Sequence, residues 1–162
     1  MDKSLLTSLL GTQHQECLDQ LLSADDLLIN KMCALLIMKW NLFSTEFHWQ
    51  NRYYTGNLPE DLSKMKVTHF MDSYNPCKNE SQFSELLNEV LEKYQTGLTL
   101  EILIRRKQKE FTINPFYSQT AENLGLKKLS DYPVLKSHNN RAGCVLLLYY
   151  VIQKYFENVH VS

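Results

Sequence analysis

Apolar residues recur with a helical spacing between Ser81 and Tyr94. They occupy positions i, i+3, i+4, i+7, i+8 and i+11, as Phe83, Leu86, Leu87, Val90, Leu91 and Tyr94. The glutamates of the same stretch fall on the other sides of the helical wheel, and this division is typical of a helix that packs one face against a core. The pattern predicts a helix over 81–94 that ends by Gly97.

Two further stretches, Leu27–Phe43 and Cys144–Phe156, are apolar on nearly every side of a helical wheel. Such helices are usually enclosed by other helices, so we expect both stretches to be core helices. Asp25 and Asp26 suit the start of the first one, because the N-terminus of a helix favours negative charge. Neither apolar run reaches the roughly 20 residues that span a membrane, and no membrane contact is predicted.

Weaker patterns predict further helical segments. One or two short helices are expected in Ser4–Leu22, another helix begins at Pro59 and stops near Tyr74, and a short one covers Thr120–Leu129. Residues 44–58 suit a helix end that runs into an aromatic loop.

Residues 98–116 leave two structures open. Every second residue from Leu98 to Ile104 is apolar, as in a strand, whereas Leu103 breaks the alternation and allows a helix. We therefore predict an all-α fold, a compact bundle of about six or seven helices in a single domain over 1–162, in which 98–116 form either helix or a small β-hairpin.

Composition and cysteine usage favour a folded intracellular protein. Hydrophobic residues make up 44% of the chain and charged residues 22%, which is near the average of globular domains. Its beginning does not resemble a signal peptide. Widely spaced cysteines in such a chain are expected to be reduced and buried, which predicts a cytoplasmic or nuclear protein. They are Cys17, Cys33, Cys77 and Cys144.

Charge is unevenly distributed although the net charge is only −1. Residues 1–97 hold 8 Lys and Arg against 13 Asp and Glu, a net of −5, whereas residues 98–162 hold 9 against 5, a net of +4. Opposite charges on the two halves leave three interpretations open: the halves attract one another, copies of the chain pair head to tail as a homo-oligomer, or the basic half faces an acidic partner.

Motifs that would specify a reaction are missing from the sequence. The cysteines and histidines do not form the close pairs of a zinc site, no serine has the flanking glycines of a nucleophile elbow, and the five glycines are too scattered for a phosphate-binding loop. We predict no catalytic residues, no metal and no cofactor, and a protein that is not an enzyme.

An aromatic patch is the most distinctive feature of the chain. Exposed aromatic side chains often anchor protein interfaces, and the candidate protein-binding residues are Trp40, His48, Trp49, Tyr53 and Tyr54. The sequence therefore predicts a non-enzymatic intracellular protein-interaction domain whose partner is another protein. An adaptor, an inhibitor or an assembly subunit would suit these properties, as would a viral protein that binds a host protein.

Two alternatives stay open. A nucleic-acid-binding helical protein would use the basic C-terminal half, because clustered cations neutralise phosphates. Its candidate residues are Arg105, Arg106, Lys107, Lys109, Lys127 and Lys128. A small enzyme or metal-binding helical protein without a recognisable motif is the other alternative.

Overall fold

A computed structural model describes residues 14–93, 98–115 and 132–160 of the chain. Within these ranges the chain forms four α-helices and two three-stranded antiparallel sheets. The helices are α1 (His14–Ser23), α2 (Asp26–Met32), α3 (Glu80–Lys93) and α4 (Arg141–His160). The first sheet consists of β1 (Asn41–Phe43), β2 (Arg52–Thr55) and β3 (Lys66–Phe70), and the second of β4 (Leu98–Arg105), β5 (Gln108–Pro115) and β6 (Leu135–Ser137).

The prediction of an all-α bundle of six or seven helices is wrong, because the described residues form an α+β fold. The error lies mainly between residues 38 and 70, where the chain forms a sheet. The predicted helices at 81–94 and 144–156 are confirmed as α3 and α4. Residues 98–115 form the hairpin that was one of the two structures left open. Residues 1–13 and the predicted helix at 120–129 lie outside the described residues.

The long helix predicted over Leu27–Phe43 ends early. Helix α2 continues into a π-helical turn, Cys33–Ile37, whose five residues are all buried. Lys39 then adopts a left-handed backbone conformation with a φ of 60°, which does not continue a right-handed helix. The chain enters β1 two residues later, so the apolar run is divided between a helix and a strand.

The helix predicted to begin at Pro59 does not form either. In its place are a 3₁₀ turn, Leu62–Lys64, and strand β3. Three of the five residues of β3 are β-branched or aromatic, and such side chains favour strands. Pairing with β2 supplies the backbone hydrogen bonds that a helix would otherwise provide.

Helix α4 is the central element of the core. Residues 142–148 and 150–153 are buried, on all sides of the helix. It packs against α1, α2 with its π-helical turn, α3, and strands β5 and β6. A helix that is apolar all round is stable in water only when it is enclosed in this way.

Polar contacts fix the start of α4 within this core. The guanidinium of Arg141 donates a hydrogen bond of 2.6 Å to Asp26 and others to the carbonyls of Leu22 and Ala24. The backbone N–H of Asn140 donates to the carbonyl of Cys77 at 2.9 Å. The junction of α1 and α2 and the loop before α3 are therefore both held to the N-terminus of one helix.

Gly143 leaves no room for a side chain at the contact between α4 and the second sheet. A Cβ atom there would lie 2.6 Å from Cε1 of Phe111 and 2.8 Å from Cζ of Phe83. Because both rings are buried, we expect Gly143→Ala to lower the free energy of unfolding by about 1–2 kcal/mol in urea denaturation, even after the gain in helix propensity. Ser84→Ala, on the exposed side of α3, is the control and should change it by less than about 0.5 kcal/mol. Equal stability of both variants would contradict this packing.

Candidate functional site

The inner face of the first sheet carries an aromatic cluster. Trp40 lies at its centre, with ring centroids 5.3 Å from His69, 5.0 Å from Tyr74 and 6.0 Å from Tyr53. Tyr53 and Tyr74 are fully buried. Edge-to-face and tilted aromatic contacts at these distances stabilise a core, so this face of the sheet is closed to a partner.

Side chains on the outer face of the sheet follow from the strand register. Opposite residues on paired strands share a face, and Phe43 is opposite Arg52, which is opposite Phe70. The register shifts between Tyr53 and Tyr54, so that Thr68 is the extra residue of a bulge and Val67 lies opposite Tyr54. Two neighbouring rows of side chains therefore lie on the outer face. One row is Phe43, Arg52 and Phe70, and the other is Asn41, Tyr54 and Val67.

An exposed aromatic pair lies in the loop between β1 and β2, at one end of the sheet. The side chains of Phe47 and Trp49 are 57% and 65% exposed, and their ring centroids lie 6.0 Å apart. Their loop is ordered by buried Asn51, whose Oδ1 accepts a hydrogen bond of 2.7 Å from the backbone of Thr45. The carbonyl of Asn51 in turn accepts a hydrogen bond from the N–H of Met71 at 2.8 Å.

The hydrogen bond between Met71 and Asn51 places the end of β3 beside the aromatic loop. The side chain of Phe70, the last residue of β3, is 50% exposed. We call the resulting surface the outer aromatic surface. Its members are the exposed or half-buried apolar side chains of the loop and of the outer face, namely Phe43, Phe47, Trp49, Tyr54, Val67 and Phe70. Monomeric proteins seldom expose several large apolar side chains side by side unless the patch binds something.

The residues predicted for protein binding are divided between the two faces. Trp49 and Tyr54 belong to the outer aromatic surface, and His48 is exposed in the same loop. Trp40 and Tyr53 point inward and pack in the aromatic cluster. Val67 and Phe70 were missed by the sequence analysis because only strand pairing places them on the outer face, opposite Tyr54 and Arg52. No alternation marks them in the sequence, because two polar residues, Thr68 and His69, separate Val67 from Phe70.

The predicted nucleic-acid-binding residues do not form one described surface. Arg105, Arg106 and Lys107 are exposed at the turn of the β4–β5 hairpin. Lys109 forms an ion pair with Glu80 and donates a hydrogen bond of 2.8 Å to Asn140. The hydrogen bond from Lys109 lowers the pKa of the Glu80 carboxyl. Lys127 and Lys128 lie outside the described residues.

Buried thiols are the other chemical feature of the core. Three thiols lie in different elements: Cys33 is in the π-helical turn, Cys77 is in the loop that precedes α3, and Cys144 is in α4. All three are free and buried. A hydrogen bond with Cys144, and then burial, raise the pKa of Cys77, while burial is the main cause that raises the pKa of Cys144. Thiols that stay protonated are poor nucleophiles. Among the described residues, no cluster of three or more His, Cys, Asp or Glu is arranged to hold a metal ion.

None of the described helices combines the length and apolar character that crossing a membrane requires. No protein-family model, curated protein or solved structure matches the chain.

We expect the stability of the fold to fall at alkaline pH, because a cysteine thiol and a tyrosine hydroxyl that ionise there are buried. Burial raises the pKa of Cys17 from 9.0 to about 11 and also raises that of Tyr53. The unfolded chain releases these protons at lower pH than the folded chain does. The free energy of unfolding should therefore be independent of these groups below pH 9 and should fall between pH 9 and 11. Each such group contributes at most about 1.4 kcal/mol per pH unit.

Chemical denaturation at pH 7.5, 9 and 10.5 measures this fall. Cys17→Ala is the matched variant, since it removes one of the ionising groups and should make the alkaline fall less steep while lowering stability at every pH. A free energy of unfolding that stays constant up to pH 10.5 would contradict the burial of these groups.

Proposed function

We propose that the protein is a non-enzymatic interaction domain whose partner, another protein, binds the outer aromatic surface. An adaptor, an inhibitor and an assembly subunit are the roles that such a surface suits. The observation that carries the proposal is the exposure of the contacting Phe47 and Trp49 rings in a loop that a backbone hydrogen bond joins to the end of β3, where Phe70 is also exposed. Aromatic residues are the commonest anchors of protein interfaces.

The construction of the surface supports binding over a role in stability. The rings of Phe47 and Trp49 contact one another but are not members of the hydrophobic core. Their loop is nevertheless ordered by the hydrogen bonds of Asn51. A surface held in place before binding loses little conformational entropy when the partner binds.

An intracellular site of action belongs to the same proposal. The four cysteines are all free and buried, which suits a reducing compartment such as the cytoplasm or the nucleus. We favour a protein partner over nucleic acid because Lys109 is already paired with Glu80. The hairpin turn then has three exposed cationic side chains, those of Arg105, Arg106 and Lys107. Three cations make a small surface for binding phosphates.

Photo-crosslinking from position 49 tests the location of the binding surface. We expect p-benzoylphenylalanine at Trp49 to give a discrete covalent adduct with another protein in cells, since this side chain is the most exposed aromatic residue of the surface. The same probe at Glu92, on the exposed side of α3, is the matched control and should not give that adduct. Identical adducts from both positions would place the contact elsewhere.

Alanine substitutions test the energetic contribution of the surface. Once the crosslinked partner is purified, Trp49→Ala should weaken its binding by at least about tenfold, the effect of losing an interface anchor. Thermal unfolding should be unchanged, because the side chain is outside the core. Lys66→Ala, an exposed polar change on the same sheet, should leave the affinity within about twofold. Equal affinities of both variants would contradict the proposal.

A salt titration distinguishes nucleic-acid binding from the proposed protein binding. Replacement of Arg106 and Lys107 by glutamine should leave partner binding unchanged if the outer aromatic surface is the site. Binding to RNA or DNA that weakens steeply with salt and is lost in this variant would favour the alternative function.

A further inference from the structure

Strand β4 is an open edge of the second sheet among the described residues. The order of the strands is β4-β5-β6, so β4 pairs with β5 on one side only. It is eight residues long. Each second residue of an edge strand directs its N–H and C=O away from the sheet, where another strand can pair with them.

The usual protections against edge pairing are scarce on this strand. Residues 98–104 include no proline and no lysine, and Glu101 is their only charged residue. The side chains of Ile102 and Leu103 are exposed, and that of Ile104 is 67% exposed. Natural edge strands are normally interrupted by charges, prolines or bulges, whereas β4 pairs with β5 in unbroken register over its whole length.

The hairpin turn determines which backbone groups point outward. Arg106 and Lys107 have φ values of 45° and 67°, and Arg105 lies opposite Gln108. Two central residues with positive φ make a type I′ turn, which is closed by a hydrogen-bonded pair. Hydrogen-bonded and non-hydrogen-bonded pairs alternate along an antiparallel ladder. The outward-pointing backbone groups of β4 therefore belong to Ile104, Ile102, Leu100 and Leu98.

We propose that β4 pairs antiparallel with β4 of a second copy of this chain and forms a two-fold symmetric dimer. In the proposed register Leu103 lies opposite Leu103 of the second copy, and Ile102 lies opposite Ile104. Ile102 and Ile104, whose backbone groups point outward, then form the hydrogen-bonded pairs, while Leu100 lies opposite the turn residue Arg106. Glu101 of each copy lies opposite Arg105 of the other, which gives two ion pairs per dimer across the interface.

Charge complementarity selects this register from its neighbours. A shift that placed Ile102 opposite itself would put Glu101 opposite Leu103, and the opposite shift would put Arg105 opposite Leu103. A register with an odd offset would oppose outward-pointing backbone groups to inward-pointing ones, and the ladder would not form. Within a single strand Glu101 and Arg105 are about 13 Å apart, too far to pair with each other.

This dimer differs from the association of oppositely charged halves that the sequence predicts. Its ion pairs join Glu101 and Arg105, and both of these residues lie in β4. It would join two three-stranded sheets into one sheet of six strands. A dimer would also carry two outer aromatic surfaces, and a partner with two binding sites would be held more tightly for that reason.

A charge-swap series tests the register. Sedimentation velocity over a concentration series should show a reversible dimer for the full chain. Glu101→Arg and Arg105→Glu should each raise its dissociation constant by about tenfold or more, because each places like charges opposite one another twice. The double variant should restore the dimer. Far-UV circular dichroism of each variant monitors folding, and restoration by the double variant excludes misfolding as the cause.

A disulfide at the symmetry axis is the second measurement. Leu103→Cys should crosslink to its own copy in oxidised glutathione, where two thiols form one disulfide and two molecules of reduced glutathione are released. Leu62→Cys, which is similarly exposed but lies in the 3₁₀ turn before β3, is the control and should not crosslink efficiently. A wild-type chain that stays monomeric up to the highest concentration, or a dimer unaffected by either charge reversal, would overturn the proposal.

Discussion

Enclosure of helix α4 is the constraint on which the rest of the structure depends. A helix that is apolar on all sides is unstable in water and has to be covered. Helices α1, α2 and α3 and the second sheet provide this cover, and Gly143 allows the rings of Phe83 and Phe111 to approach the helix closely. The bonds of Arg141 and Asn140 then fix where the helix begins.

The two sheets depend on this core and extend from it. Sheets of three short strands are marginally stable alone and need packing on one face. The first sheet is held through the aromatic cluster of Trp40, Tyr53 and Tyr74, and the second through Phe111 and Ile113. One face of each sheet is thereby used for stability. In the part of the chain that the structure describes, the outer face of the first sheet and the edge strand β4 of the second are uncovered, and these are the two surfaces that we propose for association.

Sequence patterns identify the elements whose periodicity is long. The amphipathic repeat of 81–94 and the apolar run of α4 each extend over several helical turns, and both helices form where they were predicted. The first sheet escapes prediction because its strands have three to five residues, too few for a clear two-residue alternation. Leu42 also continues the apolar run of α2, and only the left-handed conformation of Lys39 separates helix from strand. The candidate surface is partly foreseeable for a similar reason: Trp49 and Tyr54 are conspicuous in the sequence, whereas the bulge at Thr68 that brings Val67 opposite Tyr54 depends on strand pairing.

The two tryptophans allow a direct test of the central claim, that the outer aromatic surface is open while the inner face of the first sheet is closed. Acrylamide quenching of fluorescence in Trp40→Phe and Trp49→Phe measures the accessibility of the one tryptophan that remains in each. We expect Trp49 to be quenched nearly as fast as free tryptophan and Trp40 to be several times less accessible. Slow quenching of Trp49 in the isolated protein would mean that the outer aromatic surface is already covered, and would contradict its assignment as a free binding surface.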